Sequence, residues 1–210
     1  MIDSLVMMME KILETNQAHR LGLDLKSYIV ATFHRPSNVD DPKKLKLLVE
    51  ELLEISEKFQ IVFPAHPRTL KQLRNFSLEE RLRSTPKIRL LPPLRYIEFM
   101  NLVLTSKLVM TDSGGVQEET TYLQIPCLTM RENTERPITL TEGTNRLVSL
   151  KNLKTTVFEV AKQSSKESPR PRYWDGQTAS RIVSELRILF GVESSFSELK
   201  TKMDLLSFSR

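Results

Sequence analysis

The sequence predicts an α/β protein with a Rossmann-like parallel β-sheet that carries helices on both faces. Short runs of branched and aromatic residues alternate with helical patterns through about six units of the chain, which is typical of parallel sheets. Polar residues follow the predicted strands, at the ends where such sheets bind ligands. The chain has six glycines, and none belongs to a G-x-G-x-x-G or a G-x-x-x-x-G-K-S/T motif. The sequence therefore excludes a dinucleotide fingerprint and a P-loop.

Composition and charge limit the partners of this chain. A length of 210 residues accommodates one domain with an ample core or two small ones. The net charge of +5 comes from both signs spread along the chain, which favours a solvated surface over a nucleic-acid interface. No run approaches the roughly 20 apolar residues of a membrane helix, and residues 1–13 lack the features of a signal peptide. Cys127, the single cysteine, excludes an internal disulfide and fits a reducing compartment, so we expect a cytoplasmic protein.

Residues 1–27 are predicted to form a leading helix and a connection. The apolar residues of the first stretch fall at helical spacing and predict an amphipathic helix over residues 1–14. They are Ile2, Leu5, Val6, Met9, Ile12 and Leu13. Residues 16–26 are mostly polar and are predicted to connect this helix to the first strand.

Residues 28–190 are predicted to form the main domain, in which strands alternate with helices. The predicted strands are short, apolar and rich in branched side chains. They cover residues 28–33, 61–63, 88–91, 107–110, 126–130 and 144–148.

The predicted helices lie between and after these strands. Asp41 and Pro42 indicate a helix start, as a cap followed by a first-turn proline. The buried face of that helix is predicted to consist of Leu45, Leu48, Leu52, Ile55 and Phe59. Further helices are predicted over residues 70–83 (one or two short ones), 96–104, 116–124 and 152–162.

The end of the chain is predicted to hold a linker, one more helix and a tail. Residues 164–172 have the composition of a linker. Asp175 is then predicted to cap a helix, which is buried through Ala179, Ile182, Val183, Leu186 and Leu189. Residues 191–210 are polar with scattered apolar residues and are predicted to form a C-terminal tail.

The run TDSGGVQEET joins a predicted strand to a predicted helix. Gly114 and Gly115 let the backbone turn sharply and leave no side chain in the way of a ligand. The free N–H groups of Ser113 and of both glycines then point outward at a helix N-terminus, a site suited to phosphate. Glu118 and Glu119 are predicted to lie in the first turn, where a carboxylate can accept hydrogen bonds from two sugar hydroxyls. An ordinary capped helix with a glycine turn explains the same residues equally well.

Two histidines follow predicted strands. His34 and Arg35 lie in the loop after the first strand, where open α/β sheets place their ligands, so we predict that His34 is functional. His66 and Arg68 follow the second strand in a similar loop, and they could face the same crevice. A proline-stiffened turn explains this second pair equally well.

Two further residues complete the predicted site. Phe99 lies in the helix predicted over residues 96–104, either as a core residue or at the edge of a base pocket. Arg136 lies in the loop RENTERP, whose two arginines and two glutamates are more than a solvated turn requires.

Together these residues predict a crevice suited to a phosphorylated, hydroxyl-rich ligand such as a nucleotide sugar. The crevice consists of His34, Arg35, His66, Arg68, Ser113, Glu119 and Arg136. No cysteine–histidine cluster has the spacing of metal ligands, and no G-x-S-x-G elbow is present, so no metal is predicted.

Six motifs occur in order along the chain. They are HRPSNVDDP (34–42), FPAHPRT (63–69), TDSGGVQEET (111–120), PCLTMRENTERP (126–137), EGTNRLV (142–148) and YWDGQTASRI (173–182). On these motifs the chain resembles the non-hydrolysing UDP-N-acetylglucosamine 2-epimerases, from residue 1 to about residue 190. The resemblance covers only the C-terminal half of such enzymes, with the N-terminal domain missing. It implies the second Rossmann-like domain of a GT-B-type fold, the domain that holds UDP.

The resemblance implies roles for the glycine-rich run and its surroundings. Ser113, Gly114 and Gly115 are implied to bind the diphosphate of UDP. Arg136 is implied to bind phosphate, and Glu119 the ribose.

It also implies roles for the remaining crevice residues. His34 is implied to be catalytic, His66 to lie in the nucleotide site, and Phe99 to lie by the uracil. Arg35 and Arg68 are included on the crevice argument alone.

The resemblance further implies the reaction, which needs no cofactor. The C2 proton of UDP-N-acetylglucosamine is removed with loss of UDP, and re-addition on the other face gives UDP-N-acetylmannosamine. The carboxylates that transfer the proton belong to the family's first domain, so this chain alone is expected to bind without turnover. As partners we expect UDP-N-acetylglucosamine or UDP, together with a second copy of the chain or a separately encoded N-terminal half.

Two other functions remain open on the sequence. The chain could be a non-catalytic UDP-sugar-binding module, or the donor half of a related GT-B glycosyltransferase. The RENTERP and HRPSN motifs speak against the glycosyltransferase, because they are epimerase-like rather than general.

Overall fold

Six parallel strands form one sheet in the computed structural model, which describes residues 1–163 and 170–191. The strands are β1 (Tyr28–Thr32), β2 (Gln60–Pro64), β3 (Ile88–Leu91), β4 (Leu108–Thr111), β5 (Cys127–Met130) and β6 (Asn145–Val148). All six were predicted, and each differs from its predicted bounds by at most one or two residues. Strands are well predicted here because a central parallel strand is apolar on both faces.

Helices connect the strands throughout the described residues. They are α1 (Ile2–Glu14), α2 (Gln17–Arg20), α3 (Pro36–Val39), α4 (Pro42–Ser56), α5 (Pro67–Asn75), α6 (Glu79–Arg83), α7 (Tyr96–Thr105), α8 (Gly114–Leu123), α9 (Ile138–Thr141), α10 (Leu153–Lys162) and α11 (Thr178–Leu189). The structure adds α2, α3 and α9 to the prediction. Each has four residues, too few for a hydrophobic period to appear in the sequence.

The strand order is β3-β2-β1-β4-β5-β6. In this order the chain first winds outward from β1 to β3, and then returns to place β4 on the other side of β1. The pair β1 and β4 is thus the switch point of a doubly wound sheet. Loops that leave these two strands diverge and open a crevice at the carboxyl ends, where such folds bind ligands.

The sheet has a separate hydrophobic core on each face, as predicted for helices on both sides. One core joins the sheet to α4, α5, α6 and α10, through residues such as Leu48, Leu73 and Val157. The other joins it to α1, α2, α7 and α8, through residues such as Leu5 and Met100. The leading helix α1 therefore packs into the same core as the main sheet.

The start of α4 follows the predicted capping. The side chain of Asp41 accepts hydrogen bonds from the amides of Lys43 and Lys44, and Pro42 is the first helical residue. Leu45, Leu48, Leu52 and Ile55 are buried as predicted. Phe59 lies beyond the helix and is only partly buried against the core.

The prediction for α11 was wrong in two respects. Its N-cap is Gln177 rather than Asp175, because Asp175 lies further upstream and pairs with Arg181. None of the residues of α11 is buried, and its apolar residues Ile182, Val183, Leu186 and Leu189 are exposed. Of the predicted linker, residues 164–169 lie outside the described residues, as does the predicted tail from residue 192.

No helix of the described ranges is long and apolar enough to cross a membrane.

Candidate functional site

The candidate site lies at the switch point between β1 and β4. His34 and Arg35 follow β1, and Asp112 and Ser113 follow β4. These strands are hydrogen-bonded neighbours, with Thr32 paired to Thr111. The topology thus brings together two loops that are almost 80 residues apart in the chain.

Asp112 joins the two loops, and the sequence analysis did not single it out. Its fully buried carboxylate accepts hydrogen bonds from the amides of His34 and Arg35 at 3.1 and 2.9 Å. It also accepts one from Asn38 Nδ2 at 3.0 Å and lies 3.0 Å from His34 Nδ1. An aspartate directly after a buried strand, with one serine between it and a glycine pair, was the signal that could have revealed it.

The charge state of Asp112 follows from these contacts. Burial by itself raises the pKa of the carboxyl group, but hydrogen bonds from His34, Asn38 and the Arg35 amide outweigh it and lower the pKa below its ordinary value. Asp112 is therefore a carboxylate at neutral pH, and all of its surrounding groups act as donors.

The two predicted histidines line one open pocket of about 280 Å³. The centroids of the His34 and His66 rings lie 5.6 Å apart. Phe99 and Ser113 line the same pocket. Its other walls are Thr32, Pro64, Pro93, Leu94 and Val116. The apolar walls and the few polar groups make it a suitable place for a planar base or a sugar ring.

The start of α8 differs from its prediction. The Ser113 amide is not free, because it donates to Thr111 Oγ1 at 3.0 Å. Gly114 and Gly115 are the first two helical residues, whose amides have no acceptor within the helix. Neither glycine has a positive φ, so neither is needed for a sharp turn, and a Cβ at Gly114 would meet no atom within 4 Å. The space above Gly114 is open to an anion.

Glu119 lies one turn further along α8 than Gly115. The sequence analysis predicted Glu118 and Glu119 in the first turn of this helix. Because α8 begins at Gly114, both residues lie beyond its first turn. Glu119 is 6% exposed, and burial raises the pKa of its carboxyl group even though the Tyr96 hydroxyl donates to it at 2.9 Å. Tyr96 is a neighbour of the candidate site that the sequence analysis missed.

The loop that carries Arg136 is tied to α8 by a buried polar network. Gln117, fully buried, accepts from Thr134 Oγ1 at 2.6 Å and from Asn145 Nδ2 at 3.1 Å. Thr134 in turn accepts from the Arg136 amide. The Arg136 side chain then lies beside α8, with its Nε 3.2 Å from Glu118.

The structure does not place the two crevice arginines as predicted. Arg35 Nε donates to the Asp112 carbonyl oxygen at 3.1 Å, and its guanidinium faces Glu135, so it braces the loop and does not line the pocket. Arg68 pairs instead with Asp40 at 2.6 Å and does not line the pocket of the two histidines. Within the described residues no group of three or more histidine, cysteine, aspartate or glutamate side chains could hold a metal ion.

The doubly wound sheet with a crevice at its switch point defines this protein as a Rossmann-like α/β domain. The chain belongs to the UDP-N-acetylglucosamine 2-epimerase family, whose model matches residues 1–187.

Individual relatives agree with this assignment. The UDP-N-acetylglucosamine 2-epimerase of Methanocaldococcus jannaschii is 41% identical over 161 residues, which cover 74% of this chain and 43% of the relative. The UDP-2,3-diacetamido-2,3-dideoxy-D-glucuronate 2-epimerase of Pseudomonas aeruginosa is 37% identical over 163 residues, which cover 76% of this chain and 44% of the relative.

Solved structures show the same fold. The crystal structure of the M. jannaschii UDP-GlcNAc 2-epimerase in complex with UDP-GlcNAc and UDP superimposes with a TM-score of 0.76 at 35% identity, covering 88% of this chain and 52% of that one. The Neisseria meningitidis UDP-GlcNAc 2-epimerase bound to UDP-GlcNAc gives 0.73 at 26% identity, over 88% and 53% of the two chains. The chain thus spans about half the length of the relatives it matches, in agreement with the C-terminal half of a GT-B-type fold.

Proposed function

We propose that this chain is the UDP-sugar-binding half of a UDP-N-acetylglucosamine 2-epimerase. The enzyme interconverts UDP-N-acetylglucosamine and UDP-N-acetylmannosamine by elimination and re-addition of UDP. The observation that carries the proposal is the arrangement of α8. Its N-terminus lies at the switch point and is open at Gly114, while the Met1 side chain packs beside Gly115, and the buried Glu119 follows one turn after Gly115. Relatives solved with UDP and UDP-GlcNAc support the same ligand class.

The diphosphate is proposed to bind at the start of α8. The amides of Gly114 and Gly115 provide donors there, and the positive end of the helix dipole favours a negative charge. Arg136 lies close enough to α8 to pair with Glu118 in the free protein, and a phosphate can compete for its guanidinium.

The ribose and the base are proposed to follow along α8 and into the pocket. Gly115 and Glu119 are four residues apart, so they share one face of the helix with a rise of about 6 Å between them. That distance suits a phosphate and the ribose attached to it. Glu119 accepts from the ribose hydroxyls, while Phe99 in the pocket wall offers an apolar face to the uracil.

Epimerisation is proposed to require more than these residues supply. The reaction needs an acid and a base on both sides of the sugar C2. Among the described residues, the carboxylates next to the pocket are already engaged, Asp112 with His34 and Asn38, and Glu119 with Tyr96. His34 can approach the sugar from one side only. The 210-residue chain alone therefore binds UDP-sugar and leaves its C2 proton in place.

A titration calorimetry experiment with UDP tests the binding proposal. Glu119→Ala removes an acceptor worth about 1.5–3 kcal/mol, so affinity should fall about tenfold or more. Glu159→Ala is the matched control, since Glu159 is exposed on α10 and away from the pocket. Equal affinities of wild type and Glu119→Ala would remove Glu119 from the site, and absence of UDP binding by the wild type would reject the proposal.

A further inference from the structure

The Nδ1 atoms of the two pocket histidines have hydrogen-bond partners of opposite kind, an acceptor at His34 and a donor at His66. His34 Nδ1 lies 3.0 Å from Asp112 Oδ1. His66 Nδ1 accepts the Arg68 amide hydrogen at 3.1 Å, as the cap of α5. In a neutral imidazole one nitrogen donates and the other accepts, so the partner of Nδ1 decides what Nε2 offers to a ligand.

At His34 the partner can only accept. The Asp112 carboxylate is held ionised by its donors, so the hydrogen between it and His34 belongs to Nδ1. The Nε2 atom of neutral His34 then carries a lone pair. At His66 the partner can only donate, because it is a backbone N–H, so Nδ1 carries the lone pair and Nε2 the hydrogen.

Both Nε2 atoms are available to a ligand. The rings line one pocket with their centroids 5.6 Å apart. Neither Nε2 has a hydrogen-bond partner among residues 1–163 and 170–191.

We propose that this pocket is polarised, with His34 as its acceptor and His66 as its donor, and that Asp112 is the positioning residue that sets this polarity. As regards the ligand, the inference rests on the proposed function. A phosphate oxygen, which only accepts, is bound by His66. A sugar group that donates a hydrogen bond, such as a hydroxyl, faces His34.

Asp112→Asn is expected to reverse the His34 tautomer. The oxygen of the asparagine takes the place of Oδ2, which accepts from the amides of His34 and Arg35 and from Asn38. Its NH₂ group then takes the place of Oδ1 and donates to His34 Nδ1, so Nε2 acquires the hydrogen. A role of Asp112 in the fold alone would not alter the tautomer of a folded protein.

The test is a long-range ¹H–¹⁵N correlation spectrum of the histidine rings in the full chain, at alkaline pH where ordinary imidazoles are neutral. His34 is expected as the Nδ1–H tautomer and His66 as the Nε2–H tautomer. Signals are assigned with His19→Gln, His34→Gln and His66→Gln. In Asp112→Asn, His34 is expected to change to Nε2–H while His66 keeps its pattern.

Asp41→Asn is the matched control, because it makes the same chemical change in the neighbouring loop, at a cap whose side chain accepts from the amides of Lys43 and Lys44. It should leave all rings unchanged. His34 found as Nε2–H in the wild type overturns the proposal, even if Asp112→Asn does not fold. An unchanged His34 tautomer in folded Asp112→Asn removes Asp112 as its cause.

A parallel UDP titration separates this inference from the proposed function. If the tautomers are as expected but UDP does not bind, the proposed function is rejected and the polarity of the pocket is supported. UDP binding with His34 and His66 as the same tautomer would reject the polarity alone.

Discussion

Gly114 has no conformational need to be a glycine. Its φ is not positive, and a Cβ would meet no atom within 4 Å. Since alanine is favoured over glycine in helices by up to about 1 kcal/mol, Gly114→Ala should leave the free protein as stable or slightly more stable. The same methyl group would stand between the helix amides and a phosphate. We therefore expect UDP affinity to fall about tenfold or more, the loss of one charged hydrogen bond.

Thermal melting and calorimetric titration together check this prediction. Ser180→Ala provides a control at an exposed position near the start of α11, and it should not change UDP affinity. Undiminished affinity in Gly114→Ala would show that phosphate does not approach this end of α8.

Glu119 is predicted to lower the stability of the folded protein at neutral pH and to strengthen the binding of UDP. Burial raises the pKa of its carboxyl group in the folded protein. The contribution of Glu119 to the stability of the fold is therefore greatest below the ordinary glutamate pKa, and it is lost as pH rises through the raised pKa. Glu119→Gln can still accept from Tyr96 and has no such loss. We expect the variant to be more stable than the wild type at neutral pH, with an advantage that shrinks towards acid, and to bind UDP more weakly.

Urea unfolding of wild type and Glu119→Gln across this pH range measures the difference. Glu159→Gln, at an exposed glutamate of α10, should show no pH-dependent gain. A gain of the same size at all pH values would mean that the charge of Glu119 is not the cause.

At the scale of single elements, α11 is unlike the other long helices. The start of α11 is anchored, since Asp3 accepts from the Ala179 amide at 2.7 Å. Its later apolar side chains are exposed, however, with Ile188, Leu189 and Phe190 each more than 70% accessible. The leading helix α1, by contrast, buries Leu5 and Ile12 in the sheet core.

We expect the exposed face of α11 to cause self-association, because an exposed apolar surface of this kind usually binds another protein chain. Light scattering should show a mass that rises with concentration. The double variant Leu186→Glu and Leu189→Glu should remove the rise by placing charges on the apolar face. Ser184→Glu adds a charge on the same helix and should not. A monomeric wild type over the whole concentration range would contradict the expectation.

At the scale of the whole molecule, the pocket is open to water on one side. Loss of positioning and of water exclusion costs many orders of magnitude in rate. We therefore expect the purified chain to bind UDP-N-acetylglucosamine without exchanging its C2 proton. NMR in deuterated water follows the exchange. Deuterium incorporation that disappears in His34→Ala would show that the chain completes a site by itself.

Adding a partner domain distinguishes the epimerase half from a binding module. The N-terminal half of the M. jannaschii relative, mixed with this chain, should restore exchange if the chain is an epimerase half. No restoration, with UDP-sugar bound and the two halves shown to associate, would favour the non-catalytic module.

The sequence by itself determined the order of the six strands along the chain, the main helices, the cap at Asp41 and the family. These features depend on local patterns, because a buried parallel strand is a short apolar run wherever it lies in the sheet. The position of His34 after β1 was predictable for the same reason. Short helices such as α3 were not, since four residues show no period.

The tertiary structure alone decided which side chains meet. Asp112 and His34 are 78 residues apart, and they touch because the chain returns to place β4 beside β1. Arg68 lies two residues from His66 yet pairs with Asp40, and the apolar side of α11 lies exposed although its period indicates burial. Side-chain direction and strand order depend on the packed fold as a whole. The spacing of residues along the chain therefore predicts neither side-chain direction nor strand order.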